Sequence, residues 1–284
     1  MTDLSICVPA YNAGRTLAAT MQSILDQDLE LELVVLDNAS SDETQAIARS
    51  FHDPRVRIFR NDVVLPIGAN WNASIQRSTG RLVKVVCADD VLLPGSLAAQ
   101  LEVMADAAVS ISSAKFQVID EGGTVVESGL GLPGLVGAHP ARVVLRTIVR
   151  EGPAEFGPTA AAMFRREHFD RVGGIRGDLV FPMDVDLFAR IASIGQFFGM
   201  AGVLAAWRNS TFNLCSQTST VSKLVELFRF HHRIAGEYPQ HIGYRDVLAA
   251  DGRLLRTALH RANVRARAVT GDLVARGHSE RRRT

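Results

Sequence analysis

The stretch Leu82–Leu97, LVKVVCADDVLLPGSL, decides how the rest of the chain is read. Leu82-Val83-Lys84-Val85-Val86-Cys87 is a short apolar run rich in β-branched residues, bounded by Gly80, and it reads as a buried strand. The run ends on two adjacent carboxylates, Asp89 and Asp90, and Pro94-Gly95-Ser96 then opens a helix near Leu97. In open α/β sheets ligands bind outside the carboxyl ends of the strands. Two acids at such an end repel each other unless a cation, a proton or solvent separates their charges. Two readings stand side by side. One is a hard cation, Mg²⁺ or Mn²⁺, held by oxygen ligands; the other is a solvated acidic turn with a helix cap.

Outward from this stretch, strands and helices alternate. Leu4–Val8 reads as a strand ending at Pro9, and Arg15–Gln27 as a helix with apolar Leu17, Met21, Ile24 and Leu25. Leu31–Leu36 is a second strand, and Ser40 with Glu43 matches a capping box for the helix that follows. Val56–Phe59 is a third strand and Gly68–Arg77 a helix, with Trp71 read as core. This alternation implies a parallel, doubly wound sheet. Right-handed crossovers place all four strand ends on one edge. Pro9–Asn12, Asp37–Asp42 and Ala88–Asp90 are therefore expected to line one crevice.

The second half reads differently. Val109–Ser113, Lys115–Val118 and Ala160–Phe164 are expected strands, and Asp120-Glu121-Gly122-Gly123 a hairpin turn. Ser128–Pro140 is expected to be a mobile loop, Ala141–Arg150 a helix, and Gln196–Gly199 and Val203–Ala206 short strands. Met183–Leu187 leads into a helix on which Asp184 shares the inward face with Leu187, Phe188 and Ile191. Asp186 lies about 200° away from Asp184 and is expected to form a surface ion pair with Arg190. Asp184 is thus either a cap or a functional carboxylate. From about Val221 the pattern is helical and Arg-rich, and adjacent His231 and His232 suit a solvated face.

Composition sets the outer bounds. The chain has 284 residues, 47% of them apolar, with a formal net charge of +1, so no global field points to nucleic acid. Cys7, Cys87 and Cys215 form no CxxC pair, which suggests a reducing compartment and no zinc site. Neither a cleavable leader nor an apolar run of about 18 residues is evident, so a cytoplasmic protein is expected. The basic residues 278–284 read as a solvated tail.

Taken in order, Val8-Pro9-Ala10-Tyr11-Asn12, Val35–Asp42, Asn70-Trp71-Asn72, Ala88-Asp89-Asp90, Ala162–Arg166 before Gly173-Gly174, and Asp184–Leu187 resemble the family 2 inverting glycosyltransferases of GT-A fold, over roughly residues 4–210. The resemblance implies an α/β fold with a mostly parallel central sheet, helices on both faces and a C-terminal helical extension. A GT-A domain is expected over 1–215, with a nucleotide half at about 1–107 and an acceptor half at about 108–215. The extension covers 216–284.

The resemblance implies a metal-dependent transfer of sugar from a UDP- or dTDP-sugar to an acceptor hydroxyl. Tyr11 and Asp37 would lie at base and ribose, and Asp90 would be the main ligand of Mg²⁺ or Mn²⁺, with Asp89 beside it and near the ribose. Pro9, Asn12, Asn70 and Arg208 would complete the donor site, and Asp184 looks like the general base. Three positions depart from the family pattern. Cys87 stands where an acid is common and is given a structural role, since Mg²⁺ disfavours thiolate; Met183 replaces a frequent Glu, and Asn209 a frequent His.

The rivals are a nucleotidyltransferase, disfavoured by the poor phosphate loop at Ala10–Arg15, and a non-catalytic scaffold motivated by the acids missing at Cys87 and Met183. The acceptor is open among polysaccharide, lipid-linked glycan and small natural product. A homodimer and peripheral membrane contact are open too, although Arg253, Arg256, Arg261, Arg265 and Arg267 spread around their helix rather than facing one side.

Overall fold

A computed structural model describes residues 3–152 and 156–261, the side chains of 214 and 215 excepted. The expected basic tail at 278–284, Arg265, Arg267 and the Cys215 thiol lie outside the described residues. Four parallel strands, β1 (Leu4–Ala10), β2 (Glu32–Asp37), β3 (Val56–Arg60) and β4 (Leu82–Val85), run in the order β3-β2-β1-β4. Between them lie α1 (Leu17–Leu25), α2 (Thr44–Arg49) and α3 (Ile67–Gln76). The two residues of β5 (Val91–Leu92) precede α4 (Ser96–Met104).

The sheet continues through β6 (Val109–Ile119), with β7 (Val125–Leu130) paired to it as the expected hairpin. Then come β8 (Gly137–His139), α5 (Ala141–Glu151), β9 (Met163–Arg165), α6 (Arg166–Arg171), α7 (Met183–Ala192) and β10 (Gln196–Arg208). The full order is β3-β2-β1-β4-β9-β6-β10-β5. Short α8 (Leu214–Gln217) leads to α9 (Thr220–Glu237), and a last helix, α10, is described over 244–261.

Alternation along the strands divides two cores. Leu4, Ile6 and Val8 of β1 face one side with Leu33 and Val35, under α1 and α4. Cys7, Val83 and Val85 face the other, where Trp71, Phe164, Leu187 and Phe188 pack. Phe230, Ile234, Ile242 and Ala250 join this second core, so α9 and α10 lie on the domain and share its interior.

Several local expectations are corrected. The two strands read at 109–118 are one, because β6 is paired on both sides and Ala114 between them is itself buried and paired to β10. Likewise 196–206 is a single strand that absorbs its irregularity in bulges. Ser128–Pro140 is largely structured: β7 and β8 occupy its ends, and Leu132 and Leu135 are buried. Gly199 permits this, since a Cβ there would lie 1.8 Å from the Leu135 carbonyl oxygen.

The strand read at Ala160–Phe164 begins as a 3₁₀ turn, Thr159–Ala161, before β9. No capping box forms, because Ser40 spends its hydroxyl accepting from the Asn12 amide while α2 starts at Thr44. The Asp186–Arg190 pair forms in the interior rather than on the surface, each residue 1% exposed. His231 is buried and only His232 is exposed, because α9 packs by that face on α5 and α7.

Candidate active site

The four parallel strands deliver their carboxyl ends to one edge, and side-chain bonds bind the loops there into one unit. Asn12, at φ 47°, accepts from the Ser41 amide while its own amide donates to Ser40 Oγ at 2.9 Å. Gly14 donates to Asp42 Oδ2 and Ala13 to Thr44 Oγ1. From α1, Thr20 donates to the Asp90 carbonyl at 2.8 Å, and just before that helix Thr16 donates to the Ala88 carbonyl at 2.8 Å. The segments Pro9–Asn12, Asp37–Asp42 and Ala88–Asp90 therefore do meet.

At the centre are two adjacent carboxylates, with a third, Asp184, within range of their charge. Asp89 and Asp90 follow β4, and their oxygens lie with Cys87 Sγ within 4.8 Å of one another. Asp90 is 1% exposed, and its Oδ1 accepts from the Arg208 amide at 3.1 Å. Burial holds the carboxyls of both Asp89 and Asp90 above the ordinary range, and at Asp90 the charge of Asp89 adds to the effect. Asp184, in the first turn of α7, is half-buried. Its Oδ1 accepts from the Val185 amide at 2.8 Å and its Oδ2 from Thr159 Oγ1 at 3.2 Å. Burial raises its pKa, and these two donors oppose the rise.

Cys87 sits among the three acids: burial first, then Asp90, Asp89 and Asp184, hold its thiol well above the usual range. Such a thiol stays protonated and is no partner for a hard cation. The two adjacent carboxylates fit Mg²⁺ or Mn²⁺, since a divalent charge would relieve their mutual repulsion in a partly desolvated place.

The remaining expected donor contacts are placed unevenly. Tyr11 is 53% exposed at the mouth and Asn12 is also exposed. Pro9 is buried in β1 opposite Leu36. Asp37 is fully buried, with one oxygen paired to Arg60 and the other accepting from the Ser40 amide at 3.0 Å. Asn70 is 3% exposed and accepts from Asn61, which also bonds Asn38.

Arg208 is tied into the acidic turn. Its Nε donates to the Asp89 carbonyl at 2.9 Å and its Nη1 to the carbonyls of Asp120 and Glu121 at 3.0 Å. A guanidinium so engaged and only 6% exposed braces the acidic turn. Thr159 was invisible to sequence reasoning, because a threonine in a short turn carries no motif. The Thr211 and Phe212 contacts with Glu121 and Arg15 at the site's rim, the latter at 4.1 Å, were equally silent.

The family described as Glycosyl transferase family 2 matches residues 5–173. An uncharacterized protein of Mycobacterium tuberculosis, MT1568, is 32% identical over 197 residues, 66% of this chain and 61% of the relative. The Escherichia coli UDP-Glc:alpha-D-GlcNAc-diphosphoundecaprenol beta-1,3-glucosyltransferase WfgD is 28% identical over 123 residues, 43% of this chain and 49% of its own. These matches thus span less than two thirds of the relatives' own lengths.

Among solved structures, S. aureus TarS 1-349 in complex with UDP-GlcNAc aligns at TM-score 0.64 and 16% identity, covering 84% of this chain and 66% of TarS. The Pyrobaculum calidifontis mannosyltransferase PcManGT, in complex with GDP-Man and Mn²⁺, aligns at 0.59 and 18%, covering 95% and 80%. At these identities the likeness is one of fold.

Proposed function

The chain belongs to glycosyl transferase family 2, and from that premise we propose that it is a cation-dependent, inverting glycosyltransferase using a UDP- or dTDP-sugar. The observation that carries this reading is the cluster of Asp89, Asp90 and Cys87 at the carboxyl edge of the sheet, with Asp184 near enough for its charge to act on the Cys87 thiol. Asp89 and Asp90 would hold Mg²⁺ or Mn²⁺, which supplies charge neutralisation at the departing diphosphate.

Asp184 takes the proton of the acceptor hydroxyl as that oxygen bonds to the anomeric carbon and the carbon–phosphate oxygen bond breaks on the opposite face. A positioned base of this kind contributes about 10²–10⁴-fold. Tyr11, exposed beside the latched loops, offers a face for the nucleotide base. Arg208 orients the acidic turn from behind through the Asp90 carboxylate and the Asp89 carbonyl. Loss of an acid at Cys87 leaves both oxygen ligands in place. An acceptor carried on a lipid diphosphate is supported by the name of the E. coli relative, and contact with a membrane surface accords with it.

The test is a thermal-shift panel of UDP, dTDP, GDP, ADP and CMP, each with and without Mn²⁺. At about 100 times its dissociation constant a ligand stabilises by ~2.7 kcal/mol. A shift with UDP or dTDP that requires Mn²⁺ and vanishes in Asp90→Ala is the expected result. A shift that ignores Mn²⁺ removes the cation from the proposal, and no shift with any nucleotide removes the donor site.

A further inference from the structure

The outer faces of α9 and α10 carry seven of the large apolar side chains that stand exposed. At about 100° per residue, Val221, Val225 and Phe228 of α9 fall within about 60° of one another. So do Tyr244, Leu248, Leu255 and Leu259 of α10, at exposures of 56–71%. The helices run antiparallel, joined by His232–Asp251 at 3.2 Å and Arg261–Thr220 at 3.2 Å. Their opposite faces enter the core through Phe230, Ile234 and Ala250. The two stripes therefore form one outward face, crossed only by the His232–Asp251 pair.

The charged side chains bordering the two stripes without a carboxylate partner are arginines. Every carboxylate on residues 220–261 is engaged: Glu226 by the Val180 and Phe181 amides, Glu237 by Arg176, Asp246 by Arg146 and Arg150, and Asp251 by His232. Arg229 and Arg256 are exposed with no carboxylate partner among the described residues, and Arg245 bonds only the Tyr244 hydroxyl. On each helix they project just past the edge of the stripe that is turned away from the other helix, so Arg229 and the Arg245–Arg256 pair flank the face on its two outer sides. The spread of arginines seen in sequence thus resolves into two kinds, since Arg253 and Arg261 bond inward to the Arg150 carbonyl and Thr220. At the Tyr244 end a cavity of about 260 Å³ adds Arg142 to the same cationic border.

We infer that the α9–α10 face docks this protein on an anionic lipid bilayer, its apolar stripes lying in the headgroup boundary and Arg229, Arg245 and Arg256 meeting lipid phosphates. A second copy of the chain is the poorer occupant, because it would bring the same cationic border against this one. The stripes are amphipathic and no helix among the described residues is long and apolar enough to cross a membrane, so the contact proposed for this face is one of lying on the surface. This inference deepens the lipid-linked acceptor reading but does not depend on the donor chemistry.

The experiment is co-sedimentation of the full chain with vesicles of phosphatidylcholine alone, or of phosphatidylcholine and phosphatidylglycerol in equal parts. Binding to the anionic vesicles is expected, weakened by high salt. Leu248→Ser and Leu255→Ser should each lower the partition coefficient about tenfold, and Arg229→Gln with Arg256→Gln roughly fivefold per residue on anionic vesicles only. These side chains are exposed, so the variants should keep the wild-type melting temperature, which separates lost docking from lost folding. Absence of binding, or binding untouched by all four substitutions, overturns the inference. So does a dimer in light scattering that Leu248→Ser dissolves. A failure in the nucleotide panel leaves it standing.

Discussion

Thr159 Oγ1 donates to Asp184 Oδ2 across 3.2 Å, joining a 3₁₀ turn before β9 to the first turn of α7. The hydroxyl favours the charged carboxylate, which burial disfavours. Removing it in Thr159→Val should raise the Asp184 pKa further. The acidic limb of the pH–rate profile then moves to higher pH, because a base must be unprotonated to act. Asp184→Asn should lower kcat about 10²–10⁴-fold with the Mn²⁺-dependent nucleotide shift intact. Near-native turnover in that variant would move the base elsewhere.

Lys84 offers a pH test of stability. It is fully buried on β4, donates to Gln100 Oε1 at 2.6 Å and the Ala162 carbonyl at 3.2 Å, and burial lowers its pKa to about 7. The unfolded chain keeps the ordinary value near 10.5, so between pH 7 and that value it binds more protons than the folded one. Stability must therefore rise with pH across this window, by at most about 1.4 kcal/mol per unit. Urea midpoints at the two ends of the window should show the rise in wild type and lose it in Lys84→Met.

The Asp186–Arg190 pair tests a buried ion pair. Arg190 also donates to the Val172 and Gly174 carbonyls at 2.8 Å, tying α7 to the turn after α6. Asp186→Asn or Arg190→Met alone should cost about 3–5 kcal/mol, since each strands a buried charge. Replacing both with apolar residues should cost less than the sum, and a double-mutant cycle on melting data checks it.

Asn12 supplies a local test. At φ 47° it holds a conformation that Asn tolerates and most residues do not, while its Oδ1 accepts from the Ser41 amide. Asn12→Val should weaken nucleotide binding in the thermal-shift assay more than Asn12→Gly, which keeps the backbone and loses only the latch. Equal losses would mean that the side chain alone matters there.

The parallel half of the fold could be read from sequence because its signals are local. Short β-branched runs closing on Pro9, Asp37 and Asp89 set strand, direction and edge together. What escaped depended on partners distant in the chain. Nothing near Arg190 says that its face is covered by residues 172–176, and nothing near Ser128–Pro140 says that Gly199 leaves room for Leu135. Arg208 shows the same limit at the site: nothing near it in the chain tells that its partners include three carbonyls from two separate turns.

The brace between Arg208 and Asp90 also carries a consequence for how this protein is made. The acidic motif is held by an amide that follows it by 118 residues. A ribosome that has released only the four parallel strands has exposed both acids without the strand that aims them. Assembly of the proposed cation site is thus a late event for the nascent chain, completed when β10 threads beside β6 and β5.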